Sequence, residues 1–199
     1  AEKWCGLFCV NLGVARKNGE VFEYWNTYTN TARSCGLKLL SWNVWDRGCV
    51  GAIGALTAMF PIEHEWIFVY GKERSKLFPT VINKNYGKQR KGKVNRNRDG
   101  SMGQPKDITY RKKREIGTVY RGRIEDNFPD HPAPYPVALP SEYIEACCKK
   151  GNGVFDPFLG SGTTLIACEQ LNRKCYGMEI DPLYCDVIVK RWENLTGEK

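Results

Sequence analysis

The sequence predicts an α/β fold built on a Rossmann-type unit, a mostly parallel sheet with helices on both faces. Three observations predict it. Short, near-continuous apolar runs recur along the chain, as in strands buried on both faces. The stretches between several of them are long enough for crossover helices. One run, in "VFDPFLGSGTT" (Val154–Thr164), ends in an acid, turns through glycines and enters a helix. At 199 residues the chain is long enough for one sizeable core.

In order, "WCGLFCVNL" (residues 4–12) reads as a strand and Gly13 to Gly19 as a turn. Residues 23–35 suit a crossover helix. "LKLLSWNVW" (Leu37–Trp45) is a second strand, stopped by Asp46-Arg47-Gly48, and residues 51–60 are a second crossover, weakened as a helix by Gly51 and Gly54. "EWIFVYG" (Glu65–Gly71) is a third strand. Trp42, Trp45 and Trp66 are expected in the core. His64 and Glu65 are neighbours on a strand and face opposite ways, so they read as capping or packing residues and not as an acid/base pair.

This first zone, residues 1–71, gives way to a basic segment at 72–127. From Gly71 to Arg123 there are seventeen lysines and arginines against four acids, an excess of +13, while the whole chain carries +8. The remainder therefore sums to −5, and one segment holds the positive excess. Such a segment suits a polyanion, since phosphate neutralisation releases counterions. Lys88, Arg90, Lys91, Lys93, Arg96, Arg98, Arg111, Lys112, Lys113 and Arg114 are the candidate contacts. With few aliphatic residues, the segment reads as an inserted recognition element, partly disordered without its ligand.

The third zone, residues 128–199, is again α/β. "FPDHPAPYPVALP" holds five prolines and cannot be regular structure. It leads into a helix near Pro140 to Lys150, ended by Lys149-Lys150-Gly151. A strand at Gly153–Asp156, the glycine turn, a helix with Leu165, Cys168 and Leu171 on one face, and the strand "KCYGMEI" follow. Asp181 and Pro182 cap and open a last helix, with Tyr184, Ile188, Trp192 and Leu195 as its apolar stripe.

Cysteines and histidines narrow the chemistry. No CxxC pair occurs among nine cysteines, and only two histidines are present, which argues against zinc. The odd thiol count, several in apolar stretches, fits a reduced cytoplasmic protein. No apolar run reaches the length of a membrane span and no secretory signal opens the sequence.

Three ligands compete for the glycine turn. A phosphate loop requires GxxxxGK[ST], and no lysine follows Gly162. A dinucleotide site requires GxGxxG, and Leu165 stands where the third glycine belongs. S-adenosylmethionine has no phosphate and suits the acids at the two strand ends. Asp156 can accept from its ammonium, amides near Gly162 to Thr164 can meet its carboxylate, and Glu179 can accept both ribose hydroxyls. Gly160 and Gly162 let the backbone approach.

"HPAPYPVALPSEYI", "VFDPFLGSGTT" and "YGMEIDPLYCDV" together resemble the amino-group (N6-adenine or N4-cytosine) DNA methyltransferases of restriction–modification type. The arrangement resembled is the β one, circularly permuted so that the catalytic half precedes the cofactor half. "HEWIFVYGK" and "LLSWNVWDRG" extend the likeness upstream. The resemblance implies the S-adenosylmethionine-dependent methyltransferase fold, with double-stranded DNA as substrate and the basic insert as its reader. It implies a cofactor site of Asp156, Phe158, Gly160, Ser161, Gly162, Thr163, Thr164, Glu179 and Ile180, joined by His131, Pro132 and Tyr135 of the proline loop.

The family's catalytic motif, [DNS]PP[YFW], does not occur in the sequence. Asp181-Pro182-Leu183-Tyr184 resembles it superficially but follows the acidic strand. No catalytic residue is therefore assigned. The chain also opens without Met, and reads as a fragment, a part of a split enzyme completed by a partner chain or a homodimer, or a remnant. Two other readings stay open: a non-catalytic DNA-binding module, and a methyltransferase acting on RNA or protein.

Overall fold

The structure, a computed structural model, describes residues 6–48, 62–122 and 135–198. The crossover expected at 51–60, and His131 and Pro132 of the proline loop, lie outside them. The chain divides into two compact units, one formed by residues 1–76 with 117–199 and the other by residues 77–116.

In the first unit, β1 (Phe8–Leu12) leads through the short strands β2 (Arg16–Lys17) and β3 (Glu20–Val21) to α1 (Trp25–Ser34), then β4 (Lys38–Asp46) and β5 (His64–Gly71). The β2–β3 hairpin turns on Asn18 and Gly19, with φ of 53° and 81°. Positive φ at both central residues is what a tight hairpin requires and why Asn-Gly makes one. After the second unit come β10 (Val119–Arg121), α2 (Ala138–Cys147), β11 (Gly153–Asp156), α3 (Thr163–Gln170), β12 (Lys174–Gly177) and α4 (Pro182–Thr196).

One sheet has the order β1-β5-β4-β10, and a second pairs β11 with β12. The parallel pairs are β10–β4 and β11–β12, while β5 runs antiparallel to both its neighbours. Parallel pairing follows from crossovers, and α3 is the crossover between β11 and β12.

Helices cover both faces of the four-stranded sheet. Ala32 of α1 packs with Leu12, Phe68 and Tyr70, and Thr29 bonds the Tyr70 hydroxyl at 3.1 Å. Alternation along β5 sends Ile67 the other way, where it meets Trp45 and Leu139 of α2. Asn43, buried beside Trp45, donates to the Tyr143 hydroxyl of α2 at 3.0 Å. Ile144 of the same helix packs with Ala167 and Cys168 of α3. Helix α2 thus belongs to two cores at once and ties the β11–α3–β12 unit to the larger sheet.

Three local expectations are corrected. Helix α2 stops at Cys147, because Cys148 is extended (φ −120°, ψ 127°), so the lysines after it lie in the turn that Gly151 makes at φ 79°. Trp42 is 51% exposed. It lies on the face of β4 opposite Asn43 and Trp45, edge-on to Phe68 with 5.0 Å between ring centroids. On α3, burial extends over Thr163, Thr164, Ile166, Ala167 and Cys168, beyond the single stripe of Leu165, Cys168 and Leu171. Glu65 is a structural ion-pair partner of Arg47 at 2.8 Å.

In the second unit, β6 (Val81–Ile82) pairs with β9 (Lys113–Arg114), and β7 (Gln89–Arg90) with β8 (Ile108–Thr109). No helix of the described residues is long and apolar enough to cross a membrane.

Candidate cofactor site

Strand β11 delivers Asp156 to its carboxyl end, and β12, parallel to it, delivers Glu179 just beyond its own. The crevice outside the carboxyl ends of parallel strands is where α/β folds bind ligands. Asp156 is half-buried, and its Oδ1 accepts from the Phe158 amide at 3.0 Å. Its backbone oxygen accepts from the Met178 amide, and the Met178 oxygen accepts from Leu159, so the two strand ends are sewn together beyond the ladder.

The turn needs its glycines. Gly160 has φ of 54° and Gly162 of 83°, values that a Cβ disfavours by about 1–2 kcal/mol. A Cβ on Gly162 would lie 3.1 Å from Ile188 of α4. Gly162 is also the N-cap of α3 and has no side chain to cap it. The first amides of that helix have no intrahelical acceptor and carry the positive end of its dipole.

The side chains of the turn point inward. Ser161, Thr163 and Thr164 are each less than a tenth exposed. Arg191 of α4 donates through Nη1 to the Ser161 carbonyl oxygen at 2.5 Å, to its Oγ at 3.1 Å and to the Thr163 Oγ1 at 3.3 Å. Thr164 Oγ1 bonds the Tyr135 hydroxyl at 3.0 Å. Each hydroxyl is thus an anchor to another element, and the backbone of the turn is what remains for a ligand. Burial pushes the Tyr135 hydroxyl up to about 12, and the Thr164 bond opposes that only in part.

Glu179 is held by three backbone amides. Its Oε2 accepts from Gly160 at 2.7 Å, and its Oε1 from Ile180 and Asp181 at 3.0 Å each. The acid of the second strand therefore fixes the glycine turn. Asp181 caps α4, accepting from the Leu183 amide at 2.9 Å, with Pro182 at the first helical position. Around these acids stand apolar side chains open to solvent: Phe158 at 86% and Ile180 at 98% exposed.

The structure thus brings Asp156, Phe158, Gly160, Ser161, Gly162, Thr163, Thr164, Glu179 and Ile180 into one βαβ unit, with Tyr135 attached through Thr164. Arg191 was not legible beforehand. Its signal is position: three residues after Ile188, it shares the α4 face that packs on the turn. The candidate DNA contacts from Lys88 to Arg114 fall in the second unit. Among them, Arg111 is forked onto Glu115, both bonds at 2.6 Å. Among the described residues no group of histidines, cysteines and acids could hold a metal.

Comparison with known proteins places this geometry. A cytosine-N4-specific PvuII DNA methyltransferase superposes with a TM-score of 0.67 at 16% identity, over 97% of this chain and 68% of that one. M1.HpyAVI in complex with SAM superposes with a TM-score of 0.58 at 19% identity, over 92% of this chain and 74% of that one. The orphan methyltransferase M.BamHII of Bacillus amyloliquefaciens is 44% identical over 64 residues, 32% of this chain and 24% of that protein. The type II methyltransferase M.MthZI of Methanothermobacter thermautotrophicus is 26% identical over 198 residues, 94% of this chain and 53% of its own length. The chain thus spans between about a quarter and about half of these two relatives. The fold is Rossmann-like, with the motifs in permuted order. The model of a DNA methylase family, N6/N4 methyltransferase, matches residues 3–190, and the chain belongs to that family.

Proposed function

We propose that this chain holds S-adenosylmethionine and reads DNA within an amino-group methyltransferase that modifies adenine N6 or cytosine N4. The observation that carries the reading is the pair of acids at adjacent parallel strand ends, with a positive-φ glycine turn between them.

The residues fit this group and disfavour a nucleotide phosphate, which two acids would repel. Asp156 would receive the ammonium: its Oδ1 takes the Phe158 amide, and its Oδ2 has no hydrogen-bond partner among the described residues. The uncapped start of α3 would receive the carboxylate. Glu179, oriented by three amides, would meet the ribose hydroxyls. Phe158 and Ile180 would bury their apolar surface against the adenine ring. By the family resemblance, His131 and Pro132 would join the same site together with Tyr135. When bound, S-adenosylmethionine supplies a methyl group on a sulfonium centre. This chain's own part is to fix that donor in one orientation, and positioning supplies much of the rate in such transfers.

The acceptor side requires a [DNS]PP[YFW] loop, which the sequence does not contain. We assign it to an adjoining segment of a longer protein or to a partner chain, including a second copy in a homodimer. An intracellular, DNA-associated setting suits the seven free cysteines among the described residues.

The test is transfer of tritiated methyl from S-adenosylmethionine to duplex DNA by the chain joined to a segment that bears the loop. Label in an exocyclic amino group of DNA, absent from competing RNA and protein, is the expected result. No transfer by a folded, cofactor-binding assembly would reject the enzyme reading in favour of a DNA-binding module.

A further inference from the structure

The second unit is a single arm. Beyond the β7–β8 pairs Gln89/Thr109 and Arg90/Ile108, the bridge Arg96/Met102 keeps the same register. So do the backbone bonds Tyr110 to Lys88, Gly103 to Asn95 and Asn97 to Ser101. Segments 88–98 and 100–110 therefore run antiparallel in one register, paired at 88–90 with 108–110 and at 95–97 with 101–103, and a tip at Arg98-Asp99-Gly100 closes the ribbon. The ten steps from Lys88 to Arg98 span at most about 33 Å at the rise of a strand, close to one turn of duplex. Strand spacing is held tight at Gly92, where a Cβ would lie 2.3 Å from the Lys106 backbone.

The acids of this unit are used internally. Asp99 Oδ1 accepts from the Ser101 amide at 3.0 Å and its hydroxyl at 2.6 Å, ordering the tip with the help of the Asn97 amide side chain on Ser101. Those bonds hold the Asp99 carboxyl below its ordinary value. Asp107 accepts from the Gly92 amide at 2.9 Å, and Glu115 takes Arg111. Arg96 and Arg98, at the ordered tip, are exposed and in no ion pair among the described residues. Met102, cross-strand from Arg96, is 64% exposed.

Resting on the DNA reading above, we propose that this ribbon enters the major groove and that Arg96 and Arg98 select guanine there. The major groove admits a two-stranded ribbon, and the arginine fork matches guanine O6 and N7. Met102 offers the apolar contact suited to a neighbouring thymine methyl. Lysines further along the arm, Lys88, Lys91 and Lys93 among them, meet phosphate and carry affinity without sequence. A preordered tip pays less entropy on docking than a mobile loop.

The experiment is selection of the full chain on a pool of random duplexes, followed by binding to the selected site and to an unrelated duplex. The wild type enriches a site with at least one required guanine. Arg98→Ala and Arg96→Ala each relax one G·C position and weaken the selected site about tenfold, leaving the unrelated duplex nearly unchanged. Lys91→Ala with Lys93→Ala weakens both duplexes alike. Replacing the required guanine by 7-deazaguanine reproduces the arginine losses with the unmutated protein, which removes misfolding as a cause. Enrichment of the same guanine by the Arg96→Ala, Arg98→Ala double variant overturns the proposal. Salt-sensitive duplex binding with no enriched site also overturns it and leaves the DNA reading standing, whereas no duplex binding at all sinks both.

Discussion

Three residues in and around the glycine turn each make a separate prediction. Gly162→Ala forces a Cβ into a backbone at φ 83° and to within 3.1 Å of Ile188. We expect a loss of about 1–2 kcal/mol from the backbone alone, read as a lowered denaturation midpoint, with weaker cofactor binding. Arg191→Ala removes the charged donor shared by Ser161 and Thr163 and is expected to cost about 1.5–3 kcal/mol. Tyr135→Phe leaves the buried Thr164 hydroxyl without its partner, for about 1 kcal/mol. Urea unfolding checks all three, and an unchanged Arg191→Ala midpoint would show that α4 does not brace the turn. Ser161, Thr163 and Thr164 were legible as a motif, but their inward anchoring was not. A motif gives positions along the chain, whereas Arg191 and Tyr135 reach them from elements 28 and 29 residues away.

At the scale of the element, strands built from apolar runs were readable because both faces are buried. β5, with five consecutive buried residues, is the clearest case. Strands β7 and β8 were not readable. Gln89-Arg90 and Ile108-Thr109 carry no apolar period, since neither face of a solvated ribbon meets a core. The end of α2 was misplaced for a related reason: Lys149, Lys150 and Gly151 are good helix-ending residues, but Cys148 had already left the helix. Helix α2 also carries a pH prediction. Burial pushes the hydroxyls of Tyr143 and of Tyr135, just ahead of the helix, each up to about 12. Both folded values lie above the ordinary tyrosine value, so the folded state retains protons that the unfolded state releases. The stability they contribute is full below pH 10 and is lost as pH rises toward 12. Denaturation midpoints are expected to be insensitive to these groups at neutral pH and to fall across that alkaline window, less steeply in the Tyr135→Phe, Tyr143→Phe variant.

At the scale of the whole molecule, charge is divided between the two units. Residues 77–116 hold twelve basic and three acidic side chains, whereas the proposed cofactor site is built on acids. Replacing 77–116 by a short glycine–serine linker between Lys76 and Gly117 is expected to abolish salt-dependent DNA binding and to leave cofactor affinity unchanged. For the intact chain, the logarithm of DNA affinity should fall with the logarithm of salt at a slope of about −0.9 per phosphate contacted. Loss of cofactor binding on deletion would mean that the arm is part of the site's fold. The division was visible in the sequence as a shift in composition, but the shared register of the ribbon's base and tip was not. Its pairing is held by backbone bonds, which side-chain patterning does not encode.

The central claim is that the β11–α3–β12 unit is an S-adenosylmethionine site. Isothermal titration calorimetry of the 199-residue chain with S-adenosylmethionine tests it most directly. Saturable one-to-one binding by the wild type, weakened at least about tenfold in Glu179→Ala, where charge-assisted hydrogen bonds are lost, is the predicted result. No heat of binding from folded wild-type protein, or equal affinity in Glu179→Ala, would contradict it.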